Sequence, residues 1–307
     1  MRILIIGKDG QVGWELQAAT AGLGEITALG HQELDLTEED AIRNTVRQIE
    51  PALIINAAAY TAVDQAEENR DLAFRINGWA PGILAEEALR LKAGLIHYST
   101  DYVFDGAKRS PYSEDDPPAP LNVYGASKLA GEQAILASHA AAFIFRTSWV
   151  YGTRGKNFFL TMLRLAGVHD EVKVVNDQLG APTWSRSIAK ATVDVIRECF
   201  LEKRFAREKG VARMLSRKGV YNMTAYGATS WFGFAKKILG HLAPWVKVIP
   251  ITSCEYPTRA RRPKNSVLSG QKLQSTFALG LALWEESLNL VLKECDESAG
   301  PPSPIRS

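Results

Sequence analysis

The first twenty residues constrain this chain most. Arg2-Ile-Leu-Ile-Ile6 is a short, nearly continuous apolar run, as expected of a strand buried on both faces of a parallel sheet. Gly7, Gly10 and Gly13 follow at the spacing G-x-x-G-x-x-G, and Val12, Leu16 and Ala19 recur at helical spacing. Strand, glycine turn and helix in that order are the context that a dinucleotide fingerprint requires. The glycines permit a tight turn and let the backbone approach a pyrophosphate. The helix N-terminus adds free N–H groups and the positive end of its dipole. The spacing is one residue longer than G-x-G-x-x-G, and a lone motif of this kind is as readily an ordinary βα turn. Its place at the head of the chain, with these flanks, favours a cofactor.

The alternation continues. A second strand is expected at Glu25–Leu29, ending at Gly30-His31. An acidic reader of the adenosine ribose is expected roughly 20 residues past the glycine turn, and Gly30 and His31 stand there instead. A neutral or basic position tolerates a 2′-phosphate better, which tilts the reading to NADPH, or to use of either NADPH or NADH. Asp35, with Leu36 beside it, follows closely enough to approach the adenosine. Asp40–Glu50 reads as a helix, Ala52–Asn56 as a strand, Asn69–Lys92 as a long helix, Leu95–Ser99 and Phe143–Phe145 as further strands.

Polar and small residues gather at the carboxyl ends of these strands: Asn56 to Asp64, Ser99-Thr100-Asp101, and Arg146 to Gly152. Ligands of doubly wound sheets bind there, although alanines also serve close packing and Ser or Thr also cap turns. A loop rich in Pro and Asp, residues 105–120, leads to Leu121-Asn-Val-Tyr-Gly-Ala-Ser-Lys128, where a helix runs through Ala137. Tyr124 and Lys128 are four residues apart, on one helix face. A phenol titrates near ~10, and an ammonium beside it favours the phenolate, which would make a proton shuttle.

Five strands alternating with helices predict an α/β fold with a doubly wound parallel sheet of Rossmann type. Beyond Gly152 the texture changes: a strand at Val172–Val175, a loop at 176–183, helices at Ser185–Phe200 and Trp231–His241, a strand at Val220–Met223 and a basic loop at Thr258–Pro263. Residues 201–218 carry seven basic residues against two acidic ones, read as a solvated helix face or loop. The expected division is a dinucleotide-binding domain at 1–150, with about 184–224 returning to it. A smaller α/β substrate domain takes 151–183 and about 225–300, and 301–307 is a loose tail. The net charge of +2 gives no sign of nucleic acid or of a membrane surface, and no apolar run reaches the ~18 residues of a membrane span. Three scattered cysteines suggest neither a disulfide framework nor a metal site, so the expected location is the cytoplasm.

Several runs together, among them Gly-Lys-Asp-Gly-Gln-Val-Gly, His-Tyr-Ser-Thr-Asp-Tyr-Val-Phe, Phe-Arg-Thr-Ser-Trp-Val-Tyr and Asn-Asp-Gln-Leu-Gly-Ala-Pro-Thr, resemble the extended short-chain dehydrogenase/reductase superfamily. Within it the chain is similar to the reductases that complete dTDP-L-rhamnose, and the likeness covers nearly its whole length. The resemblance implies a small-molecule nucleotide-sugar substrate, with Tyr124 as proton donor. Lys128 would hold the nicotinamide ribose and tune Tyr124, and Thr100 would bond the substrate carbonyl. It implies cofactor contacts at Gly7, Gly10, Gln11, Val12 and Gly13, at Asp35 and Leu36, and at Ala59, Tyr60, Thr61 and Tyr98. Asp101 and Trp149 would touch the sugar. Relatives often carry an acidic residue near Gly30 and a histidine where Tyr60 stands. Some hold Mg2+ at a dimer interface through a glutamate at the Glu15 position, which leaves a homodimer and Mg2+ open; by itself Glu15 reads as a helix-surface carboxylate. Two other readings remain: a nucleotide-sugar 4-epimerase or 4,6-dehydratase, whose acidic pair is only half present at Asp101-Tyr102, and a non-catalytic regulatory subunit of the same fold.

Overall fold

The computed structural model describes residues 1–200 and 207–299; the first six residues of the basic stretch and the tail 301–307 lie outside the described residues. Its centre is a six-stranded parallel sheet. The strands are β1 (Arg2–Ile6), β2 (Glu25–Leu29), β3 (Leu53–Asn56), β4 (Gly94–Thr100), β5 (Ala141–Thr147) and, after β6 (Glu171–Val175), β7 (Gly219–Asn222). Their order is β7-β5-β4-β3-β1-β2, every pair parallel.

The apolar runs are continuous because both sheet faces are covered. Alternate residues point to opposite faces. Ile3, Ile5, Ile55, Ile96, Phe143 and Phe145 pack with Leu16 of α1 (Gln11–Thr20), and with Ile188 and Ile196 of a later helix at Ser185–Phe200. Leu4, Ile6, Ile54, Leu95 and Ile144 face the other way. They meet Ile42 and Val46 of α2 (Glu39–Ile49), Leu84 and Ala88 of α3 (Ala80–Leu91), and Ile135 of α4 (Val123–Ala137).

The helix expected over Asn69–Lys92 is interrupted. Arg70–Phe74 is α-helical, Arg75–Trp79 is a π-turn, and α3 follows. The wider turn places Asn77 in full burial, in keeping with the tendency of π-bulges to sit at functional sites.

A second apolar cluster lies downstream. It joins α5 (Phe158–Ala166), β6, α8 (Trp231–Leu242), and α10 (Trp284–Ala299), around Phe159, Phe234 and Trp284. Between these come α6 (Ser185–Phe200), α7 (Arg207–Ser216), and α9 (Gln271–Phe277). A further strand, β8 (Lys247–Ile251), pairs in parallel with β6. It escaped the sequence reading because Pro250 breaks the strand signature, yet β8 is paired only with β6, and an edge strand tolerates proline. Stretch 176–183, expected as loop, contributes the two-residue strands Leu179–Gly180 and Thr183–Trp184.

Glu87 is the one α3 acid that the fold buries, and it is clamped by Arg43 at 3.1 Å, Arg47 at 2.6 Å and Arg90 at 2.8 Å. Burial raises its pKa, and the three guanidinium hydrogen bonds overcome that and pull it down to about 2. Glu87→Gln should therefore cost about 2 kcal/mol in urea unfolding at pH 7, less than a fully buried pair because the arginines keep contact with water. A carboxylate with a depressed folded-state pKa contributes above its unfolded pKa and loses that contribution in acid. The gap between wild type and variant should narrow as pH falls below 4.5 toward 2.

Candidate active site

Helix α4 is locked onto the end of β4. Asn122 caps it, its Oδ1 accepting from the Gly125 amide at 2.8 Å, while its Nδ2 donates to the Arg261 carbonyl at 2.8 Å. The approach is so close that a Cβ on Gly125 would lie 2.1 Å from the Tyr102 carbonyl oxygen. The Val123 amide donates to Glu67 at 2.8 Å. Tyr124 and Lys128 stand one turn apart on this docked helix, Tyr124 against the Thr100 hydroxyl and with its ring edge-on to Tyr102 at 5.9 Å.

Their electrostatics differ from the expectation of a phenol acidified by its lysine. Lys128 is 1% exposed, and its Nζ donates to the Tyr98 carbonyl at 2.6 Å and lies 3.2 Å from His97 Nε2. Burial lowers it to about 8, with Glu132 pulling the other way. Tyr124 is pushed up to about 12 by burial, offset in part by the Thr100 hydroxyl. The Tyr98 carbonyl and the His97 ring hold the amine to β4, and its own burial keeps the phenol protonated at neutral pH. His97 is itself held well below its usual pKa by burial and by the Lys128 charge. Its Nδ1 faces Asn56 Nδ2 at 3.1 Å, and Asn56 Oδ1 is taken by the Ala58 amide at 3.2 Å. With the amide assigned this way, Nδ1 accepts, the ring proton sits on Nε2, and it faces Lys128.

Thr100 Oγ1 donates to Asp101 Oδ1 at 3.0 Å and accepts from the Tyr102 amide at 3.2 Å. Asp101 is 2% exposed, and its Oδ2 has no protein partner. Burial raises its pKa to about 7, against the hydrogen bonds of Ser266 and Thr100. An unpartnered buried carboxyl oxygen at a strand end is a place for a ligand hydroxyl.

The glycine turn fits a dinucleotide. Gly7 adopts φ +88°, and a Cβ on Gly13 would fall 2.0 Å from the Gly7 carbonyl oxygen. Gly10 caps α1 with no side chain, which leaves the first-turn N–H groups of Gln11, Val12 and Gly13 without intrahelical acceptors. Gln11 Oε1 accepts from Asn157 at 2.8 Å and so ties the turn to the downstream cluster. Beside β3, Ala59 and Tyr60 are half-buried and Thr61 is exposed. Asn77 clamps that segment: its Oδ1 accepts from the Tyr60 amide at 2.8 Å, and its Nδ2 donates to the Tyr60 carbonyl and to Ser127 of α4, each at 3.0 Å. Neither Asn77 nor the amine-holding His97 was singled out from sequence. Asn77 was masked by the helical pattern around it, whereas a histidine inside the apolar run of β4 was a usable signal.

Other expected contacts are engaged elsewhere. The Tyr98 ring packs on Phe145 and its hydroxyl is 2.7 Å from Thr192 of α6, so only its backbone is on the Lys128 side. Leu36 is a core residue packed in the cluster of α2. The Asp35 carboxylate accepts from the Thr37 amide and hydroxyl, both at 2.9 Å. The Gly30 position is also not free of acids: Glu33 Oε2 accepts from the Gly30 amide at 2.9 Å, and an Asp9 carboxylate oxygen lies 2.0 Å from where a Gly30 Cβ would be. The argument for NADPH from a missing acid is thereby corrected, because carboxylates arrive there from three residues downstream and from the glycine turn.

A cavity of about 1080 Å³ opens between α5, β6 and residues 253–264. Phe158, Met162 and Trp231 are among its apolar walls, and Lys173, Arg261 and Lys264 are among its cations. Of the basic loop, Arg262 is held by Asp64 at 2.7 Å and Arg259 by Glu68, while Arg261 has no acidic partner among the described residues. Trp149, with φ +45°, is stacked on Trp231 at 3.5 Å and 4° and backed by Gly180.

Mg2+ does not fit at Glu15. Arg186 Nε donates to Glu15 at 3.1 Å and its Nη1 to Glu294, so a guanidinium already fills the space between these carboxylates. No group of three or more metal-ligating side chains occurs among the described residues.

A glycine turn at the first strand end, with Tyr, Lys and Thr gathered at the fourth, defines a dinucleotide-dependent oxidoreductase of the short-chain dehydrogenase/reductase class. The chain belongs to the family described as RmlD substrate binding domain, whose model matches residues 1–297. The dTDP-4-dehydrorhamnose reductase of Burkholderia thailandensis is 44% identical, over 96% of this chain and 99% of its own. That of Escherichia coli K12 is 42% identical over 96% and 98%. Among solved structures, dTDP-4-dehydrorhamnose reductase from Bacillus anthracis in complex with NADP superposes with a TM-score of 0.85 at 37% identity, covering 95% and 99% of the two chains. The Clostridium acetobutylicum reductase gives 0.87 at 38%, covering 96% and 100%.

Two outcomes are expected. Asp101 has a folded-state pKa above its unfolded value, so it favours folding below pH 3.8 and loses that contribution as pH rises toward 7. The stability of wild type relative to Asp101→Asn should fall across that window and level off above it; a constant difference would contradict the raised pKa. The thermal unfolding midpoint should be the same in excess EDTA and in excess Mg2+, since Arg186 supplies the cation.

Proposed function

We propose that this chain uses NADPH or NADH to reduce the C4 keto group of dTDP-4-dehydro-L-rhamnose, forming dTDP-L-rhamnose. One observation carries the reading: Tyr124, Thr100 and Lys128 meet at the end of β4, next to a glycine turn built for a pyrophosphate. The bound cofactor supplies the hydride. Tyr124, protonated at neutral pH, donates its proton to the oxygen that becomes an alcohol. Lys128 holds the cofactor ribose through its amine and stabilises the charge left on the phenol, and Thr100 bonds the carbonyl oxygen. Asp101, with its open Oδ2, takes a sugar hydroxyl, and Trp149 stacked with Trp231 forms the wall of the sugar site. Gly7, Gly10, Gln11, Val12 and Gly13 cradle the pyrophosphate, while Ala59, Tyr60, Thr61 and the Tyr98 backbone border the nicotinamide half. The cavity receives the nucleotide, its diphosphate against Arg261, Lys264 and Lys173.

In this reading residues 1–150 with about 184–224 form the cofactor domain. Residues 151–183 and about 225–300 form the substrate domain, supported by the apolar cluster around Phe159, Phe234 and Trp284, although Leu273, Phe277 and Leu281 pack into the core of the sheet instead. No described helix is long and apolar enough to cross a membrane. The cytoplasm, where nucleotide sugars and reduced nicotinamides are at hand, is the proposed location, and no nucleic-acid partner is proposed. A homodimer is proposed across α1 and α6, supported by the exposed Trp14 on that face.

Purified protein should oxidise NADPH or NADH only when dTDP-4-dehydro-L-rhamnose is present, and Tyr124→Phe should lose on the order of 10²–10⁴-fold in kcat. Substrate-independent binding without oxidation would sink the reading. Because Lys128 sheds its charge near pH 8 while Tyr124 keeps its proton to about 12, kcat/KM should fall as pH rises through about 8. A profile flat to pH 10 would remove the Lys128 charge from the mechanism.

A further inference from the structure

We propose that Lys8 and Glu33 together read the 2′ position of the cofactor's adenosine ribose, with Lys8 as the residue that admits a 2′-phosphate. The inference rests on the cofactor reading above and concerns only which cofactor is favoured. The expected position of the ribose reader is the end of β2, and Gly30 has no side chain to offer there. Three side chains converge on it from elsewhere. Glu33 Oε2 accepts from the Gly30 amide at 2.9 Å; its Oε1 accepts from Lys8 Nζ at 2.5 Å; and Asp9 abuts Gly30 itself.

The backbone of Lys8 is pinned and its side chain is not. The Lys8 amide donates to the Leu29 carbonyl at 3.2 Å, and its carbonyl accepts from Gln17 at 3.0 Å. The ammonium therefore pivots from the lip of the glycine turn, directly over the end of β2. Its ion pair is partly exposed, with 27% and 42% of the two side chains open to solvent, and such pairs contribute only about 0–1 kcal/mol. Exchanging Glu33 for a dianionic phosphate thus costs little. Glu33 stays in place on the Gly30 amide after Lys8 leaves.

The charges give the two halves opposite preferences. Without Lys8 the position is a pair of carboxylates, which accept hydrogen bonds from a ribose diol and repel a phosphate. With Lys8 swung onto the phosphate, that repulsion is offset. One site then serves both NADH and NADPH, with the balance set by a single lysine against Asp9 and Glu33.

The test is titration of the full chain with NADPH and with NADH, read by reduced-nicotinamide fluorescence, for wild type, Lys8→Met and Glu33→Gln, with circular dichroism to verify the fold. Lys8→Met should lower the NADPH:NADH affinity ratio by on the order of tenfold, the loss of one charge-assisted hydrogen bond. Glu33→Gln should raise the ratio. An unchanged ratio in Lys8→Met, or a lowered one in Glu33→Gln, would overturn this assignment while leaving the cofactor site intact. Failure of the wild type to bind either nucleotide would overturn the cofactor reading as well.

Discussion

The contact on which the site depends is the docking of α4 against the end of β4. It is close because Gly125 has no side chain, so the helix backbone reaches the Tyr102 carbonyl. It is fixed in rotation because Asn122 caps the helix from below and holds the Arg261 carbonyl from above. Asn77 adds a third anchor through Ser127. Helical spacing puts Tyr124 and Lys128 on one face, but only this docking turns that face toward Thr100.

Docking also buries an amine, and the consequences run through the chemistry. A buried ammonium is costly unless its protons are satisfied. Lys128 meets that demand in part through the Tyr98 carbonyl, beside the His97 ring, and burial lowers its pKa to about 8. Tyr124 is kept as an acid by the same burial. A proton donor that stays loaded, beside a cation whose charge is sensitive near neutrality, suits reduction of a carbonyl, where negative charge appears on oxygen only as hydride arrives.

The two apolar clusters are coupled by polar contacts that straddle the site. Gln11 of the glycine turn meets Asn157 at the start of α5. Asp64, in the short helix that follows β3, meets Arg262 of the loop lining the cavity. Arg186 of α6 joins Glu15 of α1 to Glu294 of α10. The first two link segments that follow sheet strands to the downstream layer, and the third ties two helices of one sheet face to α10, so the cofactor turn and the cavity keep a defined spacing.

The sheet, the glycine turn and the Tyr–Lys pair are legible in the sequence, because each is written in residues that are neighbours along the chain. Apolar runs of five, glycines three apart and side chains one turn apart are local patterns with a local physical cause. The sequence also carried enough family-specific runs to indicate the reductases it resembles. Where the charges go was set by long-range packing. It drew Lys128 to His97, filled the Glu15 site with Arg186, and brought Glu33 and Asp9 to a Gly30 position that looked empty of acids. The strand at Lys247–Ile251 was likewise legible only through its partner, Glu171–Val175. These pairings join residues that the chain keeps far apart or that lie across a turn, and a charge has no periodicity to announce its partner. Burial and hydrogen bonding choose that partner only once the backbone has closed around it.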